Sequence, residues 1–156
     1  MFFAELTQGK RGFSLIELLI VFAIIGVLVL ISMPAIRIYQ HNLETSGVIR
    51  DLMANLRYAQ QLAVTEQVEH GVYFITADKK YQVRRYGTAT STIKEVILPS
   101  EITEITVSGL TDANGDKEAR YNPIGAVRDA GSVMLKNSQG ATTTIEIRPS
   151  GFIKKD

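Results

Sequence analysis

The apolar residues are concentrated near the start of the chain. The segment from Leu18 to Ile36 is almost entirely apolar and contains no charged residue. As a helix, these nineteen residues would be about 28 Å long, close to the ~30 Å hydrocarbon thickness of a bilayer. A core helix of a soluble protein would keep a polar face, which this segment lacks. The pattern therefore predicts a membrane-spanning helix.

A helical pattern of apolar residues continues beyond this segment. They recur every three or four positions along one face, at Val48, Leu52, Leu56, Ala59 and Ala63. The remaining positions are largely polar or charged. We therefore predict one helix from about residue 14 to about residue 66, with an amphipathic continuation over 37–66 that packs on a folded domain.

Beyond Glu69 the apolar residues alternate with a period of two, which is typical of strands. Seven strands are predicted, at 68–76, 81–86, 93–98, 102–107, 117–121, 132–136 and 142–148, and Gly, Pro and Asn residues separate most of them. The sequence thus predicts an α+β fold, in which a long N-terminal helix with a transmembrane first half packs on an antiparallel β-rich domain of residues 67–156.

The flanks of the apolar segment indicate its orientation. Lys10 and Arg11 precede it, and basic residues beside a first apolar segment keep that end in the cytoplasm. A cleaved secretory signal would end in small residues, and Ser-Met-Pro-Ala at 32–35 is a poor match. Pro34 removes a helical hydrogen bond, so we expect a kink or loosened turn near 30–34, with a simple bend as the alternative.

Glu17 is a carboxylate within an otherwise apolar stretch. A charge at bilayer depth costs about 2.5–3.5 kcal/mol on insertion scales, and less near the interface. Such a residue is a functional candidate that needs a partner. The alternative is that Glu17 stays hydrated near the lipid headgroups.

The ten residues KRGFSLIELL at 10–19 resemble the class III signal of type IV pilins and type II secretion pseudopilins. The resemblance implies that a prepilin peptidase removes a leader of residues 1–12 by cutting between Gly12 and Phe13, and that Phe13 is then N-methylated. It makes Glu17 the fifth residue of the mature chain, where the family model pairs a Glu with the N-terminal amine of a neighbouring subunit. Residues 13–36 become the transmembrane and assembly segment.

Three further stretches, at 56–63, 119–125 and 149–154, are similar to minor pilins and pseudopilins of the GspH/FimT type. This resemblance implies a structural subunit, not an enzyme, that primes or caps a type II secretion pseudopilus or a type IV pilus. Its implied partners are other pilins or pseudopilins and an inner-membrane assembly platform. The chain would cross the cytoplasmic membrane once, with its β-rich domain in the periplasm or outside the cell.

DNA binding is an alternative function. Some FimT-like minor pilins bind DNA through a C-terminal Gly-Arg-x-Arg motif, and Gly151–Lys155 lies at the corresponding place. Phe152 and Lys154 replace the two arginines, so the forked geometry of the guanidinium is lost. The candidate DNA contacts are Arg148, Lys154 and Lys155, and a solvated strand face is the favoured interpretation. An anchored protein of unrelated function is a third possibility.

Composition excludes several classes of site. Seventeen basic and sixteen acidic residues give a net charge of +1, so no overall field attracts nucleic acid. The absence of Cys excludes disulfides and thiolate sites, and two His residues argue against a Ser-His-Asp triad. His41 and His70 are interpreted as surface or packing residues. No cofactor site is predicted.

Residues 112–118 place oxygen ligands at alternate positions, as calcium loops do. However, an EF-type loop needs Gly at its sixth position and Glu at its twelfth, whereas Gly115 is fourth here and the twelfth residue is Pro123. Asn114-Gly115 between two predicted strands instead favours a hairpin turn.

Overall fold

The computed structural model describes residues 12–111 and 115–156, without the side chains of residues 33–42. Helix α1 spans Leu15–Glu66, which confirms the prediction of one long helix. Eight strands follow: β1 Glu69–Ile75, β2 Lys80–Tyr86, β3 Thr90–Ile97, β4 Ile102–Ser108, β5 Glu118–Tyr121, β6 Gly131–Asn137, β7 Thr142–Ile147 and β8 Ile153–Lys155. The chain divides into two compact units after Gln40.

The strands form two antiparallel sheets of four strands each. The first sheet has the order β3-β2-β1-β5, and the second has the order β4-β6-β7-β8. Every ladder within them is antiparallel. The α+β class with an antiparallel β-rich domain is therefore confirmed.

The amphipathic part of α1 packs against both sheets. It buries one face, made of Ile49, Leu52, Leu56, Ala59 and Ala63, in the same apolar cluster as Val72, Tyr81 and Val83 of the first sheet and Val133, Leu135 and Ile145 of the second. The predicted face is confirmed with one difference, since Ile49 is buried more deeply than Val48.

The helix assignment is unbroken at Pro34, whose side chain is among those not described. The kink expected there stays a prediction. At the other end, Gln67 has a φ of 55°, the left-handed geometry that commonly ends a helix. Its Nε2 donates to the carbonyl oxygen of Val64, 2.7 Å away, and so satisfies one of the last helical acceptors.

Strand β8 was missing from the prediction. It has three residues, too few to show an alternating pattern, and it is defined by its pairing with β7. That pairing places Ile153 opposite Ile147 and adds it to the core.

The turn predicted at Asn114-Gly115 does not join two strands that pair with each other. β4 belongs to the second sheet and β5 to the first, so they do not pair with each other. Only one isolated antiparallel bridge, between Thr111 and Lys117, closes the loop within the described residues. The local turn chemistry is compatible with a hairpin, but core packing assigns the two strands to different layers. Residues 112–114 lie outside the described residues.

Candidate assembly site

The first residues of the predicted mature chain lie at the start of α1. Gly12, Phe13 and Ser14 precede the helix and are exposed. The carbonyl oxygen of Ser14 accepts hydrogen bonds from the backbone nitrogens of Glu17 at 3.1 Å and Leu18 at 3.2 Å. The Gly12–Phe13 bond therefore lies outside the helix, on an accessible stretch of chain.

Ser14 is a residue that the sequence interpretation missed. It occupies the N-cap position, where Ser is favoured because its side-chain oxygen can accept from a free backbone N–H of the first turn. Glu17 follows three residues later, which makes Ser14-x-x-Glu17 a capping-box sequence. This spacing before an apolar run was a readable signal of the helix start.

Glu17 lies in the first turn of α1, and it is exposed. The positive end of the helix dipole favours a carboxylate at this position. Among residues 12–111 and 115–156, no ion pair to Glu17 is present. Lys10 and Arg11 lie outside the described residues. A carboxylate in this position can accept a cationic partner from another chain.

The first part of α1 presents its apolar side chains on all sides. Every large apolar side chain from Phe13 to Ile31 is between 43% and 77% exposed. Leu15–Ser32 form a candidate membrane span of 18 residues, none of them buried within the molecule. Such a helix is about 27 Å long. Its surface requires cover from lipid or from other helices.

Two sequence comparisons bear on this helix. Residues 7–33 match the family model described as the prokaryotic N-terminal methylation motif. The type IV major pilin protein PilE of Neisseria gonorrhoeae is 29% identical over 145 residues, covering 88% of this chain and 83% of PilE. Fimbrial protein Q of Moraxella bovis is 47% identical over 47 residues, 30% of each chain.

Solved structures share the fold. The minor pseudopilin EpsH from the type 2 secretion system of Vibrio cholerae matches with a TM-score of 0.61 at 8% identity, covering 72% of this chain and 96% of EpsH. The type IV minor pilin FimU of Pseudomonas aeruginosa matches with a TM-score of 0.58 at 12% identity, covering 76% and 92%. The chain is type IV pilin-like in motif and in fold.

In the pilin-like domain, the stretches 119–125 and 149–154 each place a glycine beside α1. Gly125 and Gly151 both have positive φ, at 83° and 81°. Gln60 of α1 donates from Nε2 to the carbonyl oxygen of Gly125 at 2.7 Å. Each loop thus contains a glycine in the left-handed backbone region, where a residue with a Cβ atom would be strained. The two stretches therefore have a structural role in fixing the ends of β5 and β7 to α1.

The three candidate DNA contacts lie near the C-terminus, and two of them are paired within the chain. Arg148 Nε lies 3.4 Å from a carboxylate oxygen of Glu146, and Lys154 Nζ lies 2.5 Å from Asp156. Lys154 is also the cross-strand partner of Glu146. Lys155 is exposed at the adjacent position of β8. The carboxylates offset the positive field that a nucleic acid would need.

Arg84 and Arg85 have different partners, as the alternation of a strand requires. The Arg84 guanidinium stacks 3.6 Å from the ring centroid of Tyr73. Arg85 instead pairs with Glu66 at the end of α1, with Nε 3.0 Å from the carboxylate. The two guanidinium groups therefore do not form a shared basic patch.

Three tyrosines are strongly perturbed by burial. Burial raises the pKa of Tyr81 to about 12, and the nearby Asp51 carboxylate raises it further, whereas the hydrogen bond from Asn55 lowers it. Burial also raises the pKa of Tyr86, helped by its hydrogen bond to Glu118, and that of Tyr121. All three are neutral packing groups at physiological pH.

The remaining candidates are the two histidines and the loop at residues 112–118. His70 is fully buried, with Nδ1 2.8 Å from the carbonyl oxygen of Val68, which confirms its interpretation as a packing residue. His41 is one of the residues whose side chains are not described. No group of three metal-ligating side chains occurs among the described residues. Residues 112–114 of the candidate calcium loop lie outside the described residues.

Proposed function

We propose that this chain is a minor pilin or pseudopilin, a structural subunit of a type IV pilus or type II secretion pseudopilus. One observation carries the proposal: a single helix combines the matched methylation motif, an apolar surface that the molecule leaves uncovered, and Glu17 in its first turn. A filament of such helices would cover the apolar surface after extraction from the membrane. The similarity to PilE, a type IV major pilin, over most of both chains supports the assignment as a pilin-like filament subunit.

The proposal assigns a role to each residue at the start of α1. A prepilin peptidase cuts between Gly12 and Phe13, and Phe13 then carries the methylated amine. The carboxylate of Glu17 pairs with the amine of a neighbouring subunit, so that each charge offsets the cost of removing the other from water. Residues 13–36 hold the chain in the inner membrane before assembly, and the β-rich domain lies outside the cytoplasm.

The intact mass of the protein tests the processing step. The full chain is produced in a host that has a prepilin peptidase, and it is purified from membranes. We expect the mass of residues 13–156 plus one methyl group. A mass that begins at Met1 contradicts the proposed pathway and leaves a plain membrane anchor.

The role of Glu17 is tested by assembly. The chain has no Cys, so Ile24→Cys, combined with a Cys at the matching helix position of a neighbouring pilin subunit, reports contacts between neighbouring helices as disulfide cross-links. We expect Glu17→Gln to abolish these cross-links while leaving membrane insertion intact, because removing a charge eases insertion. Glu104→Gln, which removes an exposed carboxylate on β4, is the control and should cross-link normally. Equal cross-linking by both variants contradicts the assigned role.

Priming or capping is the specific role that we propose within the filament. Imaging of cells that lack the chain distinguishes the priming role from the capping role. Loss of a priming subunit lowers the number of filaments, whereas loss of a capping subunit changes their length at constant number. Unchanged number and length contradict both roles.

A further inference from the structure

Strand β3 is an uncovered edge of the first sheet. It pairs with β2 on one side only. At eight residues it is the longest edge strand in the described structure, and seven of its residues are exposed. Among the described residues, no backbone hydrogen bond other than those to β2 involves Thr90–Ile97. Such an edge offers a row of free N–H and C=O groups to another strand.

A groove adjoins this edge on the side of the helix. It measures about 460 Å³ and is lined by Ala54, Asn55 and Tyr58 of α1 and by Ile93 and Lys94 of β3. The register between β2 and β3 shifts here, because Lys94 pairs with Val83 and Thr92 with Arg84. Ile93 therefore has no cross-strand partner, and it is 43% exposed. Tyr58 is 42% exposed on the opposite wall.

Lys94 supplies a charge within the groove. Its Nζ donates to Oδ1 of Asn55 at 3.0 Å. In the part of the chain that the structure describes, no carboxylate lies within ion-pair distance of this ammonium group. The groove thus combines apolar walls with one cation that lacks an anionic partner.

A second copy of this chain does not fit the edge well. In a two-fold symmetric antiparallel pair of β3 strands, the residue opposite Lys94 would be Thr90, Thr92, Val96 or Lys94 itself, so a second copy brings no carboxylate to this ammonium group. Like charges directly opposite each other destabilise a strand pair. The charge pattern therefore favours a strand from a different protein.

We infer that β3 accepts an added β-strand from a partner protein, whose groove-facing side chains are apolar residues flanking an acidic one. Main-chain hydrogen bonds to the free edge would supply affinity, and alternate side chains in the groove would supply specificity. The acidic side chain meets Lys94, and its apolar neighbours contact Ile93 and Tyr58. This inference concerns the β-rich domain and does not depend on the filament role of the helix.

A designed peptide tests the inference on the full chain in detergent. The probe is acetyl-Thr-Ile-Thr-Glu-Thr-Ile-Thr-amide, in which Ile, Glu and Ile face one side of an extended strand. We expect saturable binding by fluorescence anisotropy, together with slowed amide hydrogen exchange in Thr90–Ile97. Replacing the central Glu of the peptide by Lys should weaken binding at least about fivefold, and N-methylation of its backbone should abolish it.

Variants of the protein separate the groove from general charge effects. Lys94→Glu should reverse the preference between the Glu and Lys peptides. Lys155→Glu changes an exposed cation on β8, an edge strand of the second sheet, and should leave the preference unchanged. If Lys94→Glu unfolds the domain, Lys94→Met keeps the apolar stem and should remove the discrimination between peptides.

Several outcomes would overturn the inference. One is the absence of binding up to millimolar peptide, and another is binding without protection of β3 amides. Binding that tolerates backbone N-methylation would show a groove contact without strand addition. Self-association of the chain that protects the same amides without peptide would make a second copy the occupant.

Discussion

Gln60 of the helix and Gly125 of the loop after β5 are joined by a hydrogen bond of 2.7 Å from the Gln60 side-chain Nε2 to the Gly125 carbonyl oxygen. Gly151, in the loop after β7, approaches the same pair. A Cβ atom built on Gly151 would overlap both the Gly125 carbonyl oxygen and Gln60 Nε2. The helix and both loops therefore meet at one point that has no room for a side chain.

We expect Gly151→Ala to destabilise the β-rich domain by at least about 2 kcal/mol, because a positive φ and a backbone overlap are combined. The control is Gly140→Ala, since Gly140 has a nearly identical φ of 80° but nothing within 4 Å of the added Cβ. It should cost only about 1 kcal/mol. Urea unfolding of the full chain in detergent measures both. Equal losses would show that the close approach at Gly151 is relaxed without cost.

Gln60→Glu should destabilise the same junction by about 1–3 kcal/mol at neutral pH. The substitution is nearly isosteric, but it replaces the donor with a carboxylate that faces the carbonyl oxygen of Gly125. Gln61→Glu is the matched control, because Gln61 is the adjacent and exposed residue on the same helix. Thermal unfolding of the two variants should differ clearly. Identical midpoints would contradict a stabilising role for the Gln60 bond.

The sequence predicted the helix and most of the strands because their signals are local. The period of α1 identified its buried face at Leu52, Leu56, Ala59 and Ala63, and alternation located β1 and β2. Ser14 could have been identified as well, from its three-residue spacing to Glu17 before an apolar run.

The arrangement of the strands was not predictable from local patterns. The chain crosses between sheets after β4, so the turn residues at Asn114-Gly115 gave no information on which strands pair. The junction of Gln60 with Gly125 joins residues 65 positions apart. A polar residue on an amphipathic helix is typical of a solvent-exposed face, and nothing near Gln60 in sequence indicates a buried acceptor.

The N-cap at Ser14 gives a prediction about the start of the assembly helix. Ser14→Ala should cost about 1 kcal/mol of local helix stability, equivalent to about fivefold faster amide exchange at Glu17 and Leu18. Ser14→Asp, which keeps a capping oxygen, should restore slow exchange. Ser32→Ala is the control, since Ser32 Oγ bonds to the Leu28 carbonyl within the helix. The exchange rates are measured on the processed chain in detergent. Unchanged rates at both amides in Ser14→Ala would contradict a capping role for Ser14.

The buried tyrosines make the stability of the domain fall at high pH. Burial raises the pKa of Tyr81 from 10.0 to about 12, so the folded state retains a proton that the unfolded state loses. The contribution of Tyr81 to the free energy of unfolding is therefore fully present below pH 10. It is lost as the pH rises through 12, and the loss amounts to about 2–3 kcal/mol. Tyr81→Phe should make the decline between pH 10 and 12 shallower in urea unfolding of the full chain, while Tyr86 and Tyr121 keep their own contributions. Phe74→Leu, a core substitution that removes no titrating group, is the control and should leave the slope unchanged. If Tyr81→Phe preserves the full slope, the decline arises elsewhere in the domain.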